Sequence, residues 1–178
     1  MAFVRKFLTG VLLGLVACTS ALPQSFNEYQ LKAVFLFRFT QFVEWPAPGP
    51  SDSPFTICVL GQDPFERYLE ETVRNESVNS RSIVVARLQS VKDLPGCQIL
   101  FVSDSERARV KQIADELRGR GVLTVGDSEN FAEQGGIIQF VTAENRIRLK
   151  INVEAARVAN LQISSKLLRP AIIVPGGA

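Results

Sequence analysis

Apolar residues occur in short unbroken blocks, separated by turn residues, along most of this chain. Phe55-Thr-Ile-Cys-Val-Leu60, the β-branched stretch Arg81–Leu88, Gln98–Val102 and Val122–Val125 each read as strands. Blocks without alternation suit strands buried on both faces, as in a parallel sheet under helices. Gly61-Gln-Asp63 is a turn with Asp63 as N-cap and Pro64 as the first residue of a helix to about Arg74. Ser103-Asp-Ser-Glu106 has capping-box spacing, for a helix from about Asp104 to Arg118 that Gly119 and Gly121 end. Before the first strand, Phe26–Glu44 holds no proline or glycine and predicts a helix. Ala33-Val-Phe-Leu-Phe37 is apolar all round it, so the helix is buried on more than one side or covered by a partner. Trp45-Pro46 ends it, and 47–54, with three prolines, is a loop.

The last third changes pattern. Gly126-Asp127 closes the fourth strand, and Asp127 and Ser128 offer acceptors for a short helix through Phe131, broken at Gly135-Gly136. Ile137–Val141 and Asn145–Asn152 read as strands joined by the turn Thr142–Asn145, hence an antiparallel hairpin. In its second strand Ile147, Leu149 and Ile151 alternate with Arg146, Arg148 and Lys150, giving one apolar and one basic face. Closing helices carry Val153, Ala156, Leu161, Leu167 and Leu168 towards the core. The sum is one α/β domain of three layers, a mainly parallel Rossmann- or flavodoxin-like sheet with a C-terminal hairpin. In the flavodoxin-like order the first and third strands are neighbours, which places Cys58 near Cys97.

Taken in order, these segments resemble the YfiR-like family of small bacterial periplasmic proteins. The likeness rests on Lys32-Ala-Val-Phe-Leu-Phe-Arg-Phe-Thr-Gln-Phe-Val-Glu-Trp-Pro46, Cys58-Val-Leu-Gly-Gln-Asp-Pro-Phe65 and Cys97-Gln-Ile-Leu-Phe-Val-Ser103. It continues through Gly121–Asp127, Phe131–Val141, Asn145–Asn152 and Leu161–Leu168. The resemblance implies a periplasmic repressor that binds the periplasmic part of an inner-membrane diguanylate cyclase, or a related sensor kinase. That would lower cyclic di-GMP and biofilm formation. It also implies an outer-membrane lipoprotein as a second partner. Some relatives carry a second cysteine pair near the Gly135-Gly136 turn, where this chain has Ala132 and Gln139.

The amino terminus fits that setting. Arg5 and Lys6 precede an apolar run from Phe7 to Ala17, too short for a bilayer span of ~20 residues but suited to an export signal over 1–21. Two processings stay open. Leu15-Val16-Ala17-Cys18 resembles a lipobox that would lipidate Cys18, and Thr19 and Ala21 suit ordinary cleavage after Ala21. The signal removes two of 20 basic residues, leaving balance with 18 acidic ones, which argues against a nucleic-acid partner. Cys58 and Cys97 then remain as an even pair in an oxidising compartment, either bridged or as two buried thiols.

Chemistry is scarce. With no histidine, the usual general base and commonest metal ligand are missing, and no CxxC or phosphate-binding glycine fingerprint occurs. Ser103–Glu106 and Ser164-Ser165-Lys166 read as helix caps before they read as catalytic groups. No enzyme, metal or cofactor is expected, and surface carries the function. The candidate binding residues are Arg38, Glu44, Trp45, Arg146, Arg148, Gln162 and Ser164. A homodimer is the expected state, and the outer face of the helix ending at Glu44-Trp45 is expected to serve self-association or partner docking, with Trp45 as its anchor. The alternative is a small-molecule sensor with its ligand at the sheet's carboxyl edge.

Overall fold

Six residues, Phe55–Leu60, form a strand buried at every position, and the sheet grows outward from it. The structure, a computed structural model, describes residues 28–46, 53–94 and 96–175; the proposed signal and Cys18 lie outside these. In chain order the elements are α1 (Glu28–Phe39), β1 (Val43–Glu44), β2 (Phe55–Leu60), α2 (Tyr68–Val73), β3 (Ser77–Val78) and β4 (Arg81–Leu88). Then come β5 (Ile99–Val102), α3 (Val110–Glu116), β6 (Leu123–Gly126), β7 (Ile138–Ala143) and β8 (Arg146–Asn152). The chain closes with α4 (Val153–Val158), β9 (Gln162–Ile163), α5 (Ser165–Leu168) and β10 (Ile172–Val174).

Eight strands pair in the order β10-β8-β7-β6-β5-β2-β4-β3. The stretch from β4 to β7 is parallel, β7 and β8 form the expected antiparallel hairpin, and β10 runs parallel to β8. The parallel part has the flavodoxin-like order, with β2 between β4 and β5. Alternate side chains of each strand enter separate cores. Ile57, Val59, Ile99, Phe101, Leu123 and Val125 pack beneath α1 and α2. Cys58, Leu60, Leu100 and Val102 face Val110 and Ile113 of α3 and Leu117 just after it. Cys58 and Cys97 are bridged there, 6.0 Å apart at Cα.

Several boundaries depart from the sequence reading, each for a local reason. Helix α1 stops at Phe39 rather than Glu44. Thr40, Gln41 and Phe42 each donate to the carbonyl three residues back, which tightens the chain into a turn, and 43–44 then pair as a strand. Asp63 accepts from the Phe65 amide at 2.8 Å, but it caps a turn and the α-helix begins only at Tyr68. Ser103 accepts from Ser105, but Asp104–Arg109 is a 3₁₀ helix. The capping box is incomplete, because the Ser103 amide is spent on the Leu60 carbonyl. No helix forms through Phe131: the segment is turns, held by Phe131 N–H to the Ser128 carbonyl. Ala132 and Gln139, which flank the double glycine, are joined by a hydrogen bond. Gln139 Oε1 accepts from the Ala132 amide at 3.2 Å, while Asn152 Nδ2 donates to the Ala132 carbonyl at 2.9 Å. Val153, expected in the core, is 40% exposed, since it opens α4 on the outer side.

The hairpin turn is tighter than four residues. Ala143 pairs directly with Arg146, leaving Glu144 and Asn145, both at positive φ (51° and 58°), as a two-residue type I′ turn. Glutamate is poorly suited to that conformation, which costs a non-glycine residue roughly 1–2 kcal/mol. The double substitution Glu144→Asn, Asn145→Gly is therefore expected to stabilise the fold by about 1 kcal/mol. A urea midpoint unchanged from the parent would refute the turn assignment.

Candidate functional site

The sequence-derived candidates fall into two groups at opposite ends of α1. At the amino edge of the parallel strands, β1 and β9 form a short antiparallel ribbon in which Glu44 lies opposite Gln162. Ser164 extends it, donating its amide to the Phe42 carbonyl at 2.8 Å and capping α5 through its hydroxyl. Arg38 is exposed on the last turn of α1, with Nη1 3.3 Å from Gln41 Oε1. Trp45 is half-buried beside this ribbon. Its ring meets Phe55 edge-on at 5.2 Å, and its indole N–H donates to the Gln98 carbonyl at 3.2 Å. Thus Arg38, Glu44, Trp45, Gln162 and Ser164 share one end of the molecule.

Arg146 and Arg148 do not join them. They are exposed on β8, where the β7–β8 hairpin runs past the carboxyl edge of the neighbouring strands. Lys150 on the same face is tied to Glu133 at 2.7 Å. The hairpin reaches α1 from above, Thr142 Oγ1 donating to Glu28 Oε1 at 2.8 Å.

Beneath that contact lies a charged cluster that the sequence reading missed. Lys32 is buried, its ammonium 2.6 Å from Asp127 Oδ2 and 2.5 Å from Glu28 Oε1. It also sits 4.4 Å over the Tyr29 ring. Burial, with the Asp127 carboxylate beside it, pushes the Tyr29 phenol well above its ordinary value, so it stays protonated. Burial disfavours the Glu28 charge, but hydrogen bonds from Lys32 and Thr142 and the lysine's charge outweigh it and hold the carboxyl below its usual value. Asp127 Oδ1 and Ser128 Oγ are buried without a hydrogen-bond partner among the described residues. Glu28 and Lys32 four apart on one helix were the signal in the sequence; nothing local marked Asp127 as the deeper partner.

The remaining carboxyl edge is filled by the chain itself. At the switch between β2 and β5, Gly61 lies so close to Ser105 and Glu106 that a Cβ there would collide with both. Ser105 Oγ accepts from the Gln62 amide at 2.9 Å. A groove of about 540 Å³ opens elsewhere, between α3 and α4. Among the described residues no group of three acidic or cysteine side chains could hold a metal, and no helix is long and apolar enough to cross a membrane. Among the described residues the arrangement supplies exposed surfaces and a locked ion cluster.

A family model described as YfiR/HmsC-like matches residues 29–171. No curated protein matches the chain. Among solved structures, the ABC domain in complex with L-Trp from Streptococcus pneumonia superposes with a TM-score of 0.52 at 11% identity. The match covers 82% of this chain and 60% of that one, and at such identity it speaks to the fold alone.

Proposed function

The chain belongs to the YfiR/HmsC-like family, and from that premise we propose that it is a periplasmic regulator of diguanylate cyclase signalling. The family match across nearly the whole described chain carries this reading. The finer proposal is that the chain binds the periplasmic sensor part of an inner-membrane diguanylate cyclase and favours its inactive state. Cyclic di-GMP and biofilm formation fall as a result. An outer-membrane lipoprotein competing for the regulator would release the cyclase. That mechanism is linkage between two binding equilibria and needs no chemistry from the regulator itself. The direct test is binding of the purified chain to the periplasmic domain of a membrane-bound cyclase from the same genome, together with cyclic di-GMP levels after gene deletion. Complex formation and a rise in the nucleotide are expected; no complex and no rise would overturn the proposal.

Trp45 is proposed as an anchor at the amino-edge end, with Arg38, Glu44, Gln162 and Ser164 around it. Its half-buried ring leaves area for a partner, and its N–H is already satisfied. Trp45→Ala is expected to weaken cyclase-domain binding by about 2 kcal/mol or more. The stability cost should be below the roughly 3–5 kcal/mol of a fully buried tryptophan. A stability loss with no selective loss of binding would reject the anchor.

A further inference from the structure

The two margins of the eight-stranded sheet are built differently. At one, β3 is only Ser77–Val78, followed by Asn79 and Ser80 at positive φ, and it pairs with β4 at Arg81 and Ser82 alone. At the other, β10 presents Ile172 and Ile173, 48% and 49% exposed. Successive residues of a strand point to opposite faces, so neither helix layer reaches this margin. Val174, 7% exposed, pins the strand at its far end. β10 covers β8 only from Lys150 to Asn152, which leaves Arg146–Leu149 without an outer neighbour strand among the described residues.

Charge says what could lie there. Arg146 and Arg148 are exposed on the uncovered part of β8, and Arg169 is exposed just before β10. Lys150 is already matched by Glu133, and Glu144 at the hairpin turn is the acid of this stretch. A second copy of the chain would set arginine against arginine. An acidic strand would not.

We propose that the β10 margin is a docking site for an extended segment of a partner protein that alternates apolar and acidic residues and adds to the sheet as a further strand. Main-chain hydrogen bonds to β10 supply affinity, Ile173, level with Ile151 on the apolar face of β8, supplies apolar contact, and the arginines on the opposite face select acidic side chains and speed encounter. This deepens the regulatory reading, on which it rests, by giving its partner a surface and a chemistry.

The probe is a fluorescein-labelled decapeptide of alternating valine and glutamate, titrated against the intact chain by fluorescence anisotropy. Binding is expected, weaker at high salt. A valine–lysine peptide, or one with proline at alternate valines, should bind at least about tenfold more weakly, since one reverses the charge and the other removes the ladder donors. Ile173→Lys should cost about tenfold as well, and Arg148→Glu about fivefold with loss of the salt effect; both replace exposed side chains. Failure of the valine–glutamate peptide to bind the intact chain overturns the proposal, as does binding that tolerates proline or Ile173→Lys. Sedimentation adds one more outcome against it: a dimer that Ile173→Lys dissociates would place a second copy at this margin. If the peptide fails while the cyclase domain still binds, only the docking site falls; if both fail, the regulatory reading falls too.

Discussion

Replacing Lys32 with methionine is expected to destabilise the protein by about 3–5 kcal/mol, the cost of leaving a buried charge without its partner. The charge left behind is Asp127, whose side chain is 7% exposed and whose Oδ2 loses the 2.6 Å contact. Adding Asp127→Leu should recover most of the loss, because well-packed apolar residues often replace a buried ion pair at little cost. Urea unfolding of both single variants and the double variant measures the coupling. A Lys32→Met loss below about 1 kcal/mol would mean that the ammonium is not held in this cluster. Glu28 adds a pH dependence of definite sign. Its folded carboxyl lies below the ordinary 4.5, so its contribution is present above that value and is lost as pH falls through the lower folded one. In Lys32→Met this acid-side loss should shrink.

Reduction of the Cys58–Cys97 bridge, or Cys58→Ala with Cys97→Ala, is expected to cost roughly 4 kcal/mol on the chain-entropy account. The bridge spans 39 positions and both cysteines are buried, Cys58 completely. A loss of that size is a large fraction of the ~5–15 kcal/mol that holds a domain together. The denaturant midpoint should fall sharply with reductant, and thiol titration of denatured, non-reduced protein should find neither cysteine free. Two free thiols, or a midpoint indifferent to reductant, would contradict the bridge.

Much of the fold was legible because burial on both faces leaves a plain trace. Strands such as Phe55–Leu60 and Ile99–Val102 need apolar residues at every position, and alternating blocks of strand and helix then leave few topologies. What failed to show were elements that exist only through their partners. The ribbon residues 43–44 and 162–163 are two-residue strands with no pattern of their own, and each is defined by the other. Ile172–Val174 follows a proline and a short helix and carries no alternation of its own, and only its pairing with Lys150–Asn152 makes it a strand. Nothing in the sequence showed that the candidate residues fall at two ends of the molecule, with Arg146 and Arg148 on the β7–β8 hairpin and Trp45 beside the β1–β9 ribbon. Lys32 was hidden for a related reason. Its burial depends on a carboxylate 95 positions away, and a lysine beside five apolar residues looks like an edge of an apolar face until that partner is placed.

The position of the bridge also bears on the order in which the sheet is assembled. β5 lies on one side of β2 and β4 on the other, although β4 comes between them in the chain. Joining Cys58 to Cys97 therefore closes the loop that carries α2, β3 and β4 without shutting β4 out of its place. A chain oxidised while still incomplete keeps that outer slot open. The covalent step can come early, turning the β2–β5 pairing from a contact across about 40 residues into a nearly local one and easing the slow part of building a parallel sheet.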